Sequence, residues 1–258
     1  MLDSSYNPPT LAHLALANSR RPSYSQTQDA GPDNYSDYDA KLLLLSVRNA
    51  DKTMKPDDAS YLQRLEMMAL LAQHVVRNDG NATISSMEAP NVAIGIIDEP
   101  IFFNKSKNLL DFLRNRFISF TSATPPSLVY DTQLTFMVGF DTLERLLSPR
   151  YYASESHMLS SLRKFLSPAP EGDNSRIVCA KRGPSMKPTA DDEAKLAIAQ
   201  EFISSERIVF IDIADVRTYS STVVRSAISR PDSEVEDWKK YVPGNIADYI
   251  IREKLYTI

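Results

Sequence analysis

Five short apolar segments govern what this chain can fold into: KLLLLSV (41 to 47), VAIGII (92 to 97), LTFMV (134 to 138), RIVCA (176 to 180) and RIVFIDI (207 to 213). They are apolar almost throughout rather than at every second position, which is the pattern of strands covered on both faces. Between them, apolar residues recur at three and four in TLAHLALAN (10 to 18), YLQRLEMMALLAQHVV (61 to 76), KNLLDFLRNRF (107 to 117), DTLERLL (141 to 147) and DDEAKLAIAQEFI (191 to 203), the spacing of a helix with one buried face. Strand and helix therefore alternate along the chain. That order predicts an α/β fold with a doubly wound parallel sheet, whose ligand crevice lies at the carboxyl ends of the strands.

The 258 residues, 43% of them apolar, suffice for one large domain spanning 1–258. The segment 19–39, SRRPSYSQTQDAGPDNYSDYD, has no aliphatic side chain larger than alanine and reads as a flexible insertion in that domain. Lysine and arginine total 29 against 33 acidic residues, a net charge of -4, so no global basic field draws the protein to nucleic acid or to an anionic membrane. A phosphate site has to be local. The single cysteine, Cys179, excludes an internal disulfide and fits a reducing compartment. The three histidines, His13, His74 and His157, are too far apart for a metal-ligand spacing, so no protein-held metal is expected. No apolar run approaches the ~18 residues of a membrane span, and the polar start lacks a signal-peptide core, so a cytoplasmic and also nuclear location is expected.

The seven glycines form no G-x-G-x-x-G or Walker loop, so any phosphate has to be bound some other way, and helix N-termini, whose free amides favour anions, are one. Two stretches offer them. In SSYNPPTLAH (4 to 13), Pro8 and Pro9 set an extended-to-helical turn and Thr10 stands as the N-cap, with His13 on the first turn of the same face. In TYSSTVVRSAI (218 to 228), Ser220, Ser221 and Thr222 open a second helix, and Arg225 lies one turn inside it, placed to grip a polyphosphate bidentately. Each stretch taken alone also fits a simple helix cap. Asp141, read alone, caps the helix 141 to 147.

Together the two stretches resemble the G-S-F-x-P-x-[TH]-x-x-H and I-S-S-T-x-x-R motifs of the nucleotidyltransferase α/β-phosphodiesterase superfamily, in the same order. Within it the chain most resembles the nicotinamide mononucleotide adenylyltransferase family, and DSSYNPPTLAH, VRNADK and QRLEMM are similar to its divergent fungal branch. The resemblance, which runs from Asp3 to about Ile228, implies a Rossmann-like nucleotidyltransferase fold with ATP and nicotinamide mononucleotide as substrates and Mg²⁺ accompanying ATP. It implies that His13 holds the ATP phosphates, that Ser5, Tyr6 and Thr10 belong to that first motif, and that Ser221, Thr222 and Arg225 form the second. Lys55, nine residues before Arg64, resembles the family's phosphate-binding lysine, with Lys52 as the competitor. Gly139 and Asp141 resemble its G-x-D segment near the ribose, and Arg182 with Gly183 its turn near the adenine.

Two departures carry expectations of their own. Ser4 stands where many relatives have glycine, and the only tryptophan, Trp238, lies far along the chain, which leaves Phe102 or Phe103 to stack the pyridine ring. Only Met1 and Leu2 precede Asp3, where relatives have a longer apolar run, so the first strand is expected to be truncated. Another adenylyl- or cytidylyltransferase of the superfamily, and a non-catalytic nucleotide-binding protein, are the alternative functions.

Overall fold

The computed structural model describes residues 1–24, 37–48, 54–76, 91–120, 132–181, 189–213, 218–230 and 237–257. They fall into two compact units, one of Met1–Asp98 with Asp212–Ile258 and the other of Glu99–Ile211.

The first unit contains β1 (Leu2–Ser4), α1 (Leu11–Ala17), β2 (Lys41–Ser46), α2 (Tyr61–Ala72) and β3 (Val92–Ile97). Two helices return to it late in the chain; because the second unit's five intervene, they are α8 (Ser221–Ile228) and α9 (Gly244–Arg252). β1 runs parallel to β2 with Leu2 opposite Leu43 and Ser4 opposite Leu45, and β2 runs parallel to β3 along its whole length. The first strand is three residues long and paired at each of them with β2. The core of this unit gathers Leu43, Leu44 and Leu45 of β2 with Met67, Met68 and Leu71 of α2. α2 begins at a capping box: Ser60 Oγ accepts from the Gln63 N–H at 3.3 Å while the Gln63 carboxamide accepts from the Ser60 N–H at 2.9 Å. α9 lies along α2, where Asn245 bonds the Leu70 carbonyl at 3.2 Å and His74 Nε2 at 3.0 Å.

The second unit contains α3 (Phe102–Phe120), β4 (Thr135–Gly139), α4 (Phe140–Leu146), α5 (Glu155–Leu166), β5 (Arg176–Ala180), α6 (Ala190–Ile198), α7 (Gln200–Ser204) and β6 (Ile208–Ile211). β4, β5 and β6 are parallel neighbours. Phe136, Phe165, Leu110, Leu143 and Leu147 fill its core. The sheet order is β3-β2-β1-β4-β5-β6, so the fold is α/β with a doubly wound parallel sheet, as the alternation of strand and helix predicts.

The differences from the sequence reading have local causes. β3 is an edge strand whose Ile94 and Ile96 are 39% and 52% exposed, so a continuous apolar run does not here mean cover on both faces. α3 begins at Phe102 rather than 107 because Lys105 N–H already bonds the Ile101 carbonyl. The helix expected over 191 to 203 is broken into two at Ala199. α5 has no counterpart among the expected helices because its serines interrupt the apolar period, yet it buries Met158, Leu162, Phe165 and Leu166. The flanks of the expected insertion are packed: Tyr24 and Asp37 are buried, and Asp37 pairs with Lys41 at 2.8 Å. Residues 25–36 lie outside the described residues.

Candidate active site

The first motif is a turn held from both ends. Tyr6 adopts φ 45, a left-handed conformation that costs a non-glycine residue roughly 1 kcal/mol or more and tends to mark a functional turn. Its side chain is fully buried and donates to the Leu2 carbonyl at 2.7 Å. The side chain thus holds the turn from inside, and the backbone of Tyr6 is what the first motif presents outward. A cis Asn7–Pro8 bond follows, and Thr10 caps α1 with extended backbone, as the sequence indicates.

The Thr10 N–H donates to His13 Nδ1 at 3.0 Å. A backbone N–H can only donate, so Nδ1 carries the lone pair and the proton sits on Nε2. Nε2 in turn meets Ser4 Oγ at 2.8 Å, so Ser4 orients the imidazole. Burial lowers the His13 pKa to about 4, which leaves the ring neutral at pH 7 with one N–H donor.

The second motif is fastened to the first. Ser220 caps α8 by accepting from the Val223 N–H at 3.2 Å. Ser221 Oγ donates to the Pro8 carbonyl at 2.8 Å, and Thr10 Oγ1 donates to the Tyr219 carbonyl at 3.1 Å. Arg225 donates through Nη1 to the Asn7 carbonyl and through Nη2 to Thr222 Oγ1 at 3.4 Å. His13, Thr10, Ser221, Thr222 and Arg225 are thus brought together by folding, as the two motifs require.

Asp58 joins a third segment to them. Its carboxylate accepts from Asn7 Nδ2 at 2.6 Å and from the Lys55 N–H at 3.0 Å, and it faces Arg64 at 3.6 Å and Arg225 at 3.9 Å. Burial alone would raise its pKa; the Lys55 N–H, the Asn7 amide and the two arginines outweigh that and hold it below 3.8. Arg64 is buried, bonding the Ala59 carbonyl at 2.8 Å and reaching the Ser5 carbonyl at 3.5 Å. Lys55 is exposed, with its backbone in this network. Asn7 and Asp58 have no role in the sequence reading. Asp58 lies in PDDAS, which looks like an ordinary helix approach, and its function depends on partners that are distant in the chain.

In the second unit, Gly139 ends β4 and is itself the N-cap of α4, so Asp141 stands in the first helical turn and is not the cap. A carboxylate there suits the positive end of the helix. Gly139 has φ -79 and open space where a Cβ would be, so the protein itself does not demand glycine at this point. Burial raises the Cys179 pKa to about 12, with the Asp141 charge adding to it. Phe102 packs on Phe136 at 5.6 Å and Phe103 stacks on Tyr152 at 6.3 Å, so both rings have partners within the unit. Trp238 is buried. Arg182, Gly183 and Lys52 lie outside the described residues. Among the described residues, no three His, Cys, Asp or Glu side chains are grouped to hold a metal ion.

The arrangement offers anions a neutral N–H donor, an arginine and a capped helix N-terminus, with the Asn7 and Pro8 carbonyls and the Asp58 carboxylate engaged in positioning them. No family model matches the chain. A Schizosaccharomyces pombe protein, named provisionally as a nicotinamide mononucleotide adenylyltransferase, is 30% identical over 260 residues, which cover 97% of this chain and 82% of that protein. Among solved structures, Plasmodium falciparum nicotinic acid mononucleotide adenylyltransferase complexed with NaAD superposes with a TM-score of 0.56 at 15% identity, covering 99% of this chain and 95% of that one. The same enzyme complexed with APC gives a TM-score of 0.51 at 15% identity over 99% and 94% of the two chains. At that identity the likeness is one of fold.

Proposed function

We propose that this chain, which belongs to the nicotinamide mononucleotide adenylyltransferase family, transfers the adenylyl group of ATP to the 5′-phosphate of nicotinamide mononucleotide. The products are NAD and pyrophosphate. The observation that carries the reading is the joining of the two motifs: Arg225 and Ser221 of the second bond the carbonyls of Asn7 and Pro8 in the first, beside His13.

The attacking 5′-phosphate oxygen is already an anion at neutral pH, so the step needs no general base. A bond forms from that oxygen to the α-phosphorus while the bond to the β-bridging oxygen breaks, and the charge leaves on pyrophosphate. Catalysis is then alignment and charge stabilisation. His13 Nε2–H would turn from Ser4 Oγ to a phosphate oxygen, and the approach of that anion would draw its pKa upward. Arg225 would present its outer edge to the polyphosphate while the Asn7 carbonyl keeps its inner edge fixed. Lys55 is in reach of this network through its backbone bond to Asp58 and would supply a second cation. The donor set is cationic and hydroxylic rather than carboxylate-rich, so it fits Mg²⁺ that arrives on the ATP phosphates as part of the substrate. Gly139, with open space at its Cβ position, and Asp141 fit an approach of the ribose.

A coupled assay with ATP tests the reading, run with nicotinamide mononucleotide, nicotinate mononucleotide, phosphopantetheine and choline phosphate as acceptors. NAD formation is expected, and turnover with another acceptor alone would move the assignment. His13→Ala and Arg225→Ala should each lower turnover on the order of 10²-fold with an unchanged circular dichroism spectrum. Near-wild-type turnover in both would remove the phosphate site.

A further inference from the structure

The Asn7 side chain has no spare hydrogen-bonding capacity on its oxygen. Oδ1 accepts from the Ala59 N–H at 3.2 Å and from the Tyr256 hydroxyl at 2.8 Å, while Nδ2 donates to Asp58 at 2.6 Å. The carboxamide is planar, so whatever fixes Oδ1 also aims Nδ2 at Asp58. A flipped amide would set its NH₂ against the Ala59 N–H and its oxygen against a carboxylate, so one orientation is enforced. Asp58 then meets Arg225 at 3.9 Å, and the Asn7 carbonyl takes the Arg225 Nη1. A chain of contacts therefore leads from Tyr256 to the guanidinium.

The backbone around Tyr256 is shaped to put it there. Lys254 and Tyr256 both adopt left-handed conformations, φ 51 and φ 64, which non-glycine residues avoid at a cost of about 1 kcal/mol or more each. Leu255 and Tyr256 are nonetheless buried, at 7% and 6% exposure. Burial drives the phenol pKa well above its usual 10, against the pull of Arg64 and Arg225, so the hydroxyl keeps its proton and donates.

We propose that Tyr256 is a positioning residue of the phosphate site, its hydroxyl clamping Asn7 and, through Asn7 and Asp58, setting the Arg225 guanidinium for a polyphosphate. The proposal rests on the phosphate-site reading above. It predicts that Tyr256 acts only through Arg225, which a residue that merely supports the fold would not do.

The test is a double-mutant cycle on the full chain, with inorganic pyrophosphate binding measured by calorimetry and kcat and KM for ATP measured beside it. Tyr256→Phe should weaken pyrophosphate binding roughly fivefold, the worth of one hydrogen bond. In an Arg225→Lys background the same substitution should change nothing further. Unchanged affinity in Tyr256→Phe, or an equal loss in both backgrounds, overturns the proposal. If Tyr256→Phe loses its native near-ultraviolet spectrum, Asp58→Asn takes its place in the cycle with the same expected non-additivity. Pyrophosphate binding is read independently of NAD formation, so failure of the proposed reaction leaves this result intact. A wild-type chain that does not bind pyrophosphate removes the phosphate site, and the proposal with it.

Discussion

His13 is neutral in the free protein because its half-buried ring is poorly solvated in the charged form, and that has a measurable acid signature. In the unfolded chain a histidine takes its proton below about 6.5, whereas folded His13 does so only near 4. Between those values the unfolded state binds more protons, so stability falls as pH drops from 6.5 toward 4, by roughly 3 kcal/mol at most. Asp58 adds a separate loss at lower pH: its pKa is held below 3.8, so the stability it contributes is present above that value and disappears as pH falls through the folded one. Urea unfolding from pH 7 to pH 4 should show the first decline in the wild type and a flatter curve in His13→Gln. Equal slopes would mean that the imidazole is not protected from protonation. The neutral ring also explains the tautomer, since a doubly protonated imidazole could not accept from the Thr10 N–H.

At the scale of elements, what the sequence makes legible is what local pattern controls. β2, β3, β4 and β5 lie within a residue of the expected segments because short apolar runs bounded by polar residues have few other readings. α5 escapes because three serines dilute its period, and α9 because its face is made by Ile246, Ala247, Tyr249 and Ile250 at the end of a polar stretch. The same rule divides the site. Thr10 and Ser220 are legible as caps from their neighbours alone, whereas Asn7, Asp58 and Tyr256 take their roles from one another across 51 to 249 residues. α8 carries Ser221, Thr222 and Arg225 and depends on one side-chain cap, Ser220 to the Val223 N–H. Ser220→Ala should cost about 1 kcal/mol, read as a fall of about 2 to 4 °C in Tm for a chain of this size. A smaller change would show that the bonds from Ser221 and Arg225 to the first motif hold the helix end without the cap.

At the scale of the whole chain, the site is made by closing one compact unit from two distant parts of the sequence, Met1–Asp98 and Asp212–Ile258. A ligand that grips both parts should stabilise the folded state. Pyrophosphate at one hundred times its dissociation constant is expected to add about 2.7 kcal/mol, and scanning calorimetry should show the rise in Tm in the wild type and its loss in Arg225→Ala. The bonds that fasten the first motif span 209, 213, 218 and 249 residues. During synthesis, then, the residues around Asn7 leave the ribosome long before their partners exist. At about 5 to 20 residues per second that interval is roughly ten to fifty seconds. Throughout it the nascent chain holds the first motif without Arg225 or Tyr256 beside it, so the bonds that fasten that motif form only after the second motif and Tyr256 have been made.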